Sequence, residues 1–137
     1  MTGTLHALVI DDDIAIRRLV TRLLERRGFV VAAARDGAEG IEKLAADEYH
    51  VIVLDLMMPR VNGAGVLKYL GEYHPAQLAT VIVMSAFGAS TAQLSPSPAA
   101  FLAKPFDVDA LVHEVDQCVR RSLATRSTEP MPRNGEG

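Results

Sequence analysis

Four aspartates, one serine and one lysine stand at the ends of short apolar runs, and together their types suit metal-assisted phosphoryl chemistry. Asp11, Asp12 and Asp13 close the first run, Asp55 the third, Ser85 the fourth, and Lys104, followed by Pro105, the fifth. Carboxylates held close together repel one another, which raises their pKa values unless a hard cation with oxygen ligands lies between them. Mg²⁺ is the natural occupant: it neutralises the carboxylates and holds the oxygens of an incoming phosphoryl group. A carboxylate beside it can then attack phosphorus as a nucleophile, and Asp55 is placed for that role. The Lys104 ammonium can pair with phosphoryl oxygens as a point charge, and the Ser85 hydroxyl can donate a hydrogen bond to one of them.

Each of these residues also has an ordinary reading. An aspartate at a strand end is often a helix cap or a solvated loop residue. Asp13, next to Ile14, is as good a cap for the first helix as it is a ligand. Asp55 can be a loop carboxylate within DLMMPRVNG, and Lys104 a surface lysine in a Lys-Pro turn. It is their coincidence at successive run ends that favours a site, because ligands of an open parallel sheet bind at the carboxyl ends of its strands.

The elements that must position these residues alternate in type. Strands are expected at Leu5 to Ile10, Val30 to Ala34, Val51 to Leu54, Thr80 to Met84 and Phe101 to Ala103. Their β-branched content and lack of polar alternation fit strands covered on both faces, hence a doubly wound α/β domain with a parallel sheet. In the first helix Ile16, Leu19, Val20, Leu23 and Leu24 recur at helical spacing, with Gly28 as its stop. In the last, Asp107 caps a stripe of Val108, Leu111, Val112, Val115, Cys118 and Val119, so Cys118 reads as packing. Helices of about Ala38 to Ala46 and Ala64 to Glu72 lie between them. In the fourth crossover Ser95-Pro96-Ser97-Pro98 interrupts the chain after one possible turn near Ser90 to Leu94, so a helix there is expected to be short or missing. Residues 1–123 are expected to form the domain and 124–137, rich in proline and glycine, a flexible tail with no room for a second folded module.

Composition narrows the partners. A net charge of −3 over 137 residues offers no broad basic field for nucleic acid. A single cysteine cannot form an intramolecular disulfide, no secretory leader precedes the first strand, and no apolar run is long enough to span a bilayer, so a cytoplasmic protein off the membrane is expected. Arg17, Arg18 and Arg22 on the first helix read as a solvated charged face rather than a docking surface.

LVIDDD, VLDLMMPRVNG, VIVMSA and FLAKPF, in that order and with 43 residues from Asp12 to Asp55, together resemble the receiver domain of two-component response regulators. The resemblance covers residues 5 to 123. It implies a flavodoxin-like, five-stranded sheet of order 2-1-3-4-5. It further implies that Asp55 is the phosphoacceptor, and that Asp12, Asp55 and the Met57 backbone carbonyl bind Mg²⁺ directly, with Asp11 acting through water. Ser85 matches the switch hydroxyl, Lys104 the lysine preceding an often cis proline, here Pro105, and Phe101 the switch aromatic, although Phe101 reads equally as a core strand residue. The implied donor is a sensor histidine kinase or histidine phosphotransfer protein, the implied output is phosphorylation-dependent binding of a downstream protein, and a monomer or weak dimer is expected.

Two departures from the family stand out. Lys104 comes only 19 positions after Ser85, short for a full fourth helix, so output is expected through a Pro-containing loop or another face. Met57 and Phe87 are apolar where polar groups can tune dephosphorylation, which predicts a slowly hydrolysing aspartyl phosphate. Among other functions, an aspartyl-nucleophile phosphohydrolase would need an acid at position 57, which is Met57, and a dinucleotide-binding domain would need a Gly-rich loop after the first strand. A phosphorylation-independent interaction domain would not need the Asp11, Asp12, Asp55, Ser85 and Lys104 set. A substrate-like switch is therefore expected rather than an enzyme.

Overall fold

The computed structural model describes residues 3–56, 62–85 and 96–128, with the side chains of 124–128 excepted. In chain order they form β1 (Leu5–Ile10), α1 (Ile14–Arg26), β2 (Phe29–Ala34), α2 (Gly37–Ala46), β3 (Val51–Asp55), α3 (Gly63–Tyr73), a 3₁₀ turn (Pro75–Thr80), β4 (Val81–Ser85), β5 (Ala100–Ala103) and α4 (Val108–Thr128). The five strands make one parallel sheet of order β2-β1-β3-β4-β5, the doubly wound order expected from the sequence.

Strand alternation divides the core into two layers. Ala7 and Val9 of β1, Val51 and Val53 of β3, and Ile82 and Met84 of β4 pack with Val20 and Leu24 of α1 and Leu111, Val115 and Cys118 of α4. Leu8, Ile10, Ile52, Leu54, Val81 and Val83 face the other way, against Leu44 of α2 and Val66, Leu67 and Leu70 of α3. Burying both faces is what selects continuous apolar strands, and each fully buried aliphatic side chain contributes about 1.5–3 kcal/mol by leaving water. Cys118 is in the core, and burial pushes its thiol pKa up.

The helix boundaries follow local chemistry. The Asp13 side chain accepts hydrogen bonds from the N–H groups of Ala15 and Ile16, so it caps α1. Gly28, at φ 93°, ends that helix in the left-handed region that glycine enters without strain. Asp107 Oδ1 accepts from Asp109 N at 3.1 Å at the start of α4. Leu19, expected on the apolar stripe of α1, is 43% exposed because it lies at the stripe's edge beside Phe106 and Val108.

Two expectations meet the structure only in part. α4 runs on to Thr128, so the stretch read as a tail from residue 124 begins as helix, and residues 129–137 lie outside the described residues. The possible helical turn near Ser90 to Leu94 also lies outside them. Residues 96–99 are non-helical, and Pro96 packs on α3 at Gly71, where a β-carbon would stand 2.8 Å from Pro96 Cγ.

Candidate functional site

Strand register brings the expected residues to one edge. Ile10 pairs with Leu54, Asp55 with Met84, and Ser85 with Ala103, so Asp11, Asp55, Ser85 and Lys104 occur at or just past the carboxyl ends of adjacent strands. Alternation then sorts them. Asp11 and Asp55 keep the parity of Val9 and Val53 and belong to the α1/α4 side, whereas Ser85 keeps the parity of Val83 and belongs with Phe101 to the α2/α3 side.

One carboxylate oxygen from each of Asp11, Asp12 and Asp55 lies within 4.8 Å of the others. Asp11 and Asp55 are buried and Asp12 is exposed, so the cluster opens toward solvent on one side. A hard, all-oxygen donor set open on one side fits Mg²⁺, which retains water and shares its coordination between protein carboxylates and a substrate's oxygens. Asp13 is directed into its cap and is not part of this set.

Lys104 reaches into the cluster from just past the carboxyl end of β5. Its Nζ lies 3.2 Å from Asp11 Oδ2 and 3.4 Å from Asp55 Oδ1. Burial acts to lower its pKa, but the Asp11 and Asp55 carboxylates outweigh that and hold it above the ordinary lysine value, so the ammonium stays charged. The Lys104 N–H donates to the Ser85 carbonyl at 2.7 Å, which ties the ends of β4 and β5 together, and the Lys104–Pro105 peptide is cis. Ser85 is buried at the end of β4. Phe101 is half-buried on β5 against the α2/α3 core. Met57 and Phe87 lie outside the described residues.

Two contributors were not legible as site residues. Arg17 turns back from α1 and donates through Nη1 to the Asp11 carbonyl at 2.8 Å, so it is not part of a merely solvated face. Gly63 N donates to the Leu56 carbonyl at 3.0 Å, which ties the start of α3 to the residue just past β3. The glycine in DLMMPRVNG was a signal for a close backbone approach, whereas nothing in the spacing of Arg17 distinguished it from Arg18 or Arg22.

Residues 7–116 match the response regulator receiver domain family, and the chain belongs to that family. The response regulator RR06 of Streptococcus pneumoniae is 37% identical over 120 residues, which cover 85% of this chain and 54% of RR06. The response regulator MprA of Mycobacterium tuberculosis is 30% identical over 129 residues, covering 93% of this chain and 56% of MprA. The chain thus spans about half the length of the curated relatives it matches. Among solved structures, the receiver domain of the Francisella response regulator 1452 superposes with a TM-score of 0.77 at 30% identity, over 87% of this chain and 99% of that one. TrrA of Thermotoga maritima, solved in complex with Mg²⁺ and BeF, gives a TM-score of 0.76 at 25% identity, over 84% of this chain and 99% of that one. The fold is therefore the flavodoxin-like receiver fold of two-component signalling proteins. Among the described residues no helix is long and apolar enough to cross a membrane.

Proposed function

We propose that this protein is a phosphorylation switch that accepts a phosphoryl group on Asp55 and responds by changing which partner protein its surface binds. The observation that carries this reading is the set of Asp11, Asp12 and Asp55 oxygens within 4.8 Å of one another, with the Lys104 ammonium 3.4 Å from Asp55. A bound Mg²⁺ would supply charge neutralisation and a hold on phosphoryl oxygens there, with Asp12, Asp55 and the Met57 carbonyl as its direct ligands and Asp11 acting through water.

In the proposed reaction an Asp55 carboxylate oxygen attacks phosphorus, an O–P bond forms, and the P–N bond of a donor phosphohistidine breaks with its electron pair staying on nitrogen; the proton already on the donor's other ring nitrogen lets the imidazole leave neutral. Lys104 pairs with the phosphoryl oxygens and Ser85 donates a hydrogen bond to one of them, contacts that strengthen once the phosphoryl group has arrived. Phe101 follows Ser85 as the switch aromatic. The partners are a sensor histidine kinase or a histidine phosphotransfer protein upstream and a protein target downstream, and the domain acts as a substrate of that transfer rather than an enzyme. The Mg²⁺–BeF complex of TrrA supports this reading by likeness.

The test is incubation with Mg²⁺ and acetyl phosphate followed by intact mass. A gain of one phosphoryl group is expected in wild type, absent without Mg²⁺ and absent in Asp55→Asn. No gain in wild type would overturn the proposal in favour of a phosphorylation-independent interaction domain.

A further inference from the structure

Asp11 is completely buried, and each of its polar atoms is engaged. Its N–H donates to the Ala34 carbonyl at 3.1 Å, its Oδ1 accepts from Asp13 N at 2.9 Å, and its Oδ2 accepts from Lys104 Nζ at 3.2 Å. Among the described residues its carbonyl has no ladder partner, because the pairing of β1 with both neighbours ends at Ile10. That carbonyl accepts instead from Arg17 Nη1 at 2.8 Å, a half-buried guanidinium in the first turn of α1. A buried carbonyl left without a donor is costly, so the peptide between Asp11 and Asp12 would turn to find another partner if Arg17 were removed.

We infer that Arg17 is a positioning residue of the cation site. By fixing the Asp11–Asp12 peptide plane, it sets the direction from which the Asp12 carboxylate meets those of Asp11 and Asp55. This role rests on the reading of that cluster as a Mg²⁺ site. It differs from a simple charge effect in sign. A guanidinium beside a cation site repels the cation, so its removal would tighten Mg²⁺ binding on electrostatic grounds alone. Loss of a group that orients a ligand weakens metal binding, typically by about 10- to 100-fold.

The experiment is calorimetric titration of Mg²⁺ into the unphosphorylated protein, comparing wild type with Arg17→Met and Arg17→Lys, with thermal unfolding in chelator to verify folding. Arg17→Met is expected to bind Mg²⁺ at least about 10-fold more weakly. Arg17→Lys, which keeps a charged donor, recovers part of the loss. Should Arg17→Met fail to fold, Arg17→Gln, whose amide is too short for the same bond, carries the same expectation. Affinity equal to or tighter than wild type in the Met or Gln variant overturns the positioning role. Failure of the wild type itself to bind Mg²⁺ overturns the metal-site reading instead.

Discussion

A single added methyl at Gly63 is expected to damage both the fold and the acceptor. An ideal β-carbon there would stand 2.6 Å from Leu56 Cα and 2.8 Å from the Asp55 carbonyl oxygen, with Leu56 Cδ1 at 3.2 Å. Ordinary carbon contacts lie near 3.5–4.0 Å, so the first of these is about 1 Å too close. Both nearer atoms are backbone, and they belong to the last residue of β3 and the one after it, so no rotamer change relieves them. Such overpacking costs about 1–3 kcal/mol, against a gain of up to about 1 kcal/mol from the better helix propensity of alanine. The net expectation for Gly63→Ala is a loss of up to about 3 kcal/mol in urea denaturation, because at the first position of α3 little of the propensity gain applies. If relaxation carries Asp55 by a comparable 1 Å, phosphorylation by acetyl phosphate slows by on the order of 100-fold. Gly40→Ala is the comparison: its β-carbon meets only side-chain atoms of the buried Ile10, Cδ1 at 2.6 Å, Cγ1 at 3.1 Å and Cγ2 at 3.3 Å, and no backbone of β3, so a loss of stability with near-normal phosphorylation is expected. Wild-type stability and rate in Gly63→Ala, or equal slowing of phosphorylation in both variants, would refute the reasoning.

Three further expectations concern the site itself. Lys104 has a folded-state pKa raised above its unfolded value, so its stabilising contribution is complete below the ordinary lysine pKa of about 10.4 and is lost only as pH rises through the higher folded value. Urea denaturation should therefore show a constant gap between wild type and Lys104→Met from about pH 6 to 9, narrowing only beyond the lysine range; a gap that closes between pH 7 and 9 would contradict the pairing. Met57→Asn should hasten loss of the phosphoryl group followed by intact mass, because an amide can orient an attacking water and a thioether cannot; rapid loss in wild type, unchanged by the substitution, would count against this. Ser85→Ala should still gain a phosphoryl group, yet lose most of the difference in Phe101 environment between the two states by NMR; an undiminished difference would remove Ser85 from the switch.

The sequence was most legible where burial imposes a pattern. Val51-Ile52-Val53 and Val81-Ile82-Val83 must be covered on both faces, and the structure places them at the centre of the sheet. The ends were less legible by a residue. Thr80 bonds through Oγ1 to the Gln77 carbonyl and closes the 3₁₀ turn rather than opening β4, and Phe29 joins β2 because Leu5 pairs with it. The site was legible as residue types at strand ends, because register alone brings those ends level. What remained open was settled by single bonds. Asp13 suits a cap or a ligand by type alone, and its bonds to the Ala15 and Ile16 amides make it a cap; Arg17 differs from its arginine neighbours only in its bond back to the Asp11 carbonyl.

The division of the site between the two faces of the sheet bears on how a phosphoryl group could act as a signal. Shifting a two-state equilibrium from 1:99 to 99:1 takes about 5.5 kcal/mol of differential interaction. A hydrogen bond to a charged group contributes about 1.5–3 kcal/mol, so two of them, from Lys104 and Ser85, reach that scale only if both are new in the phosphorylated state. Lys104 already pairs with Asp11 and Asp55, so a contact to phosphoryl oxygens would partly exchange one anionic partner for another and add less than the full amount. On the proposed reading the rest of the differential would come from rearrangement on the α2/α3 side, where Ser85 ends β4 and Phe101 packs against the core, rather than from either contact alone. In the proposed switch Lys104 would hold the phosphoryl group, and movement at Ser85 would report it across the sheet.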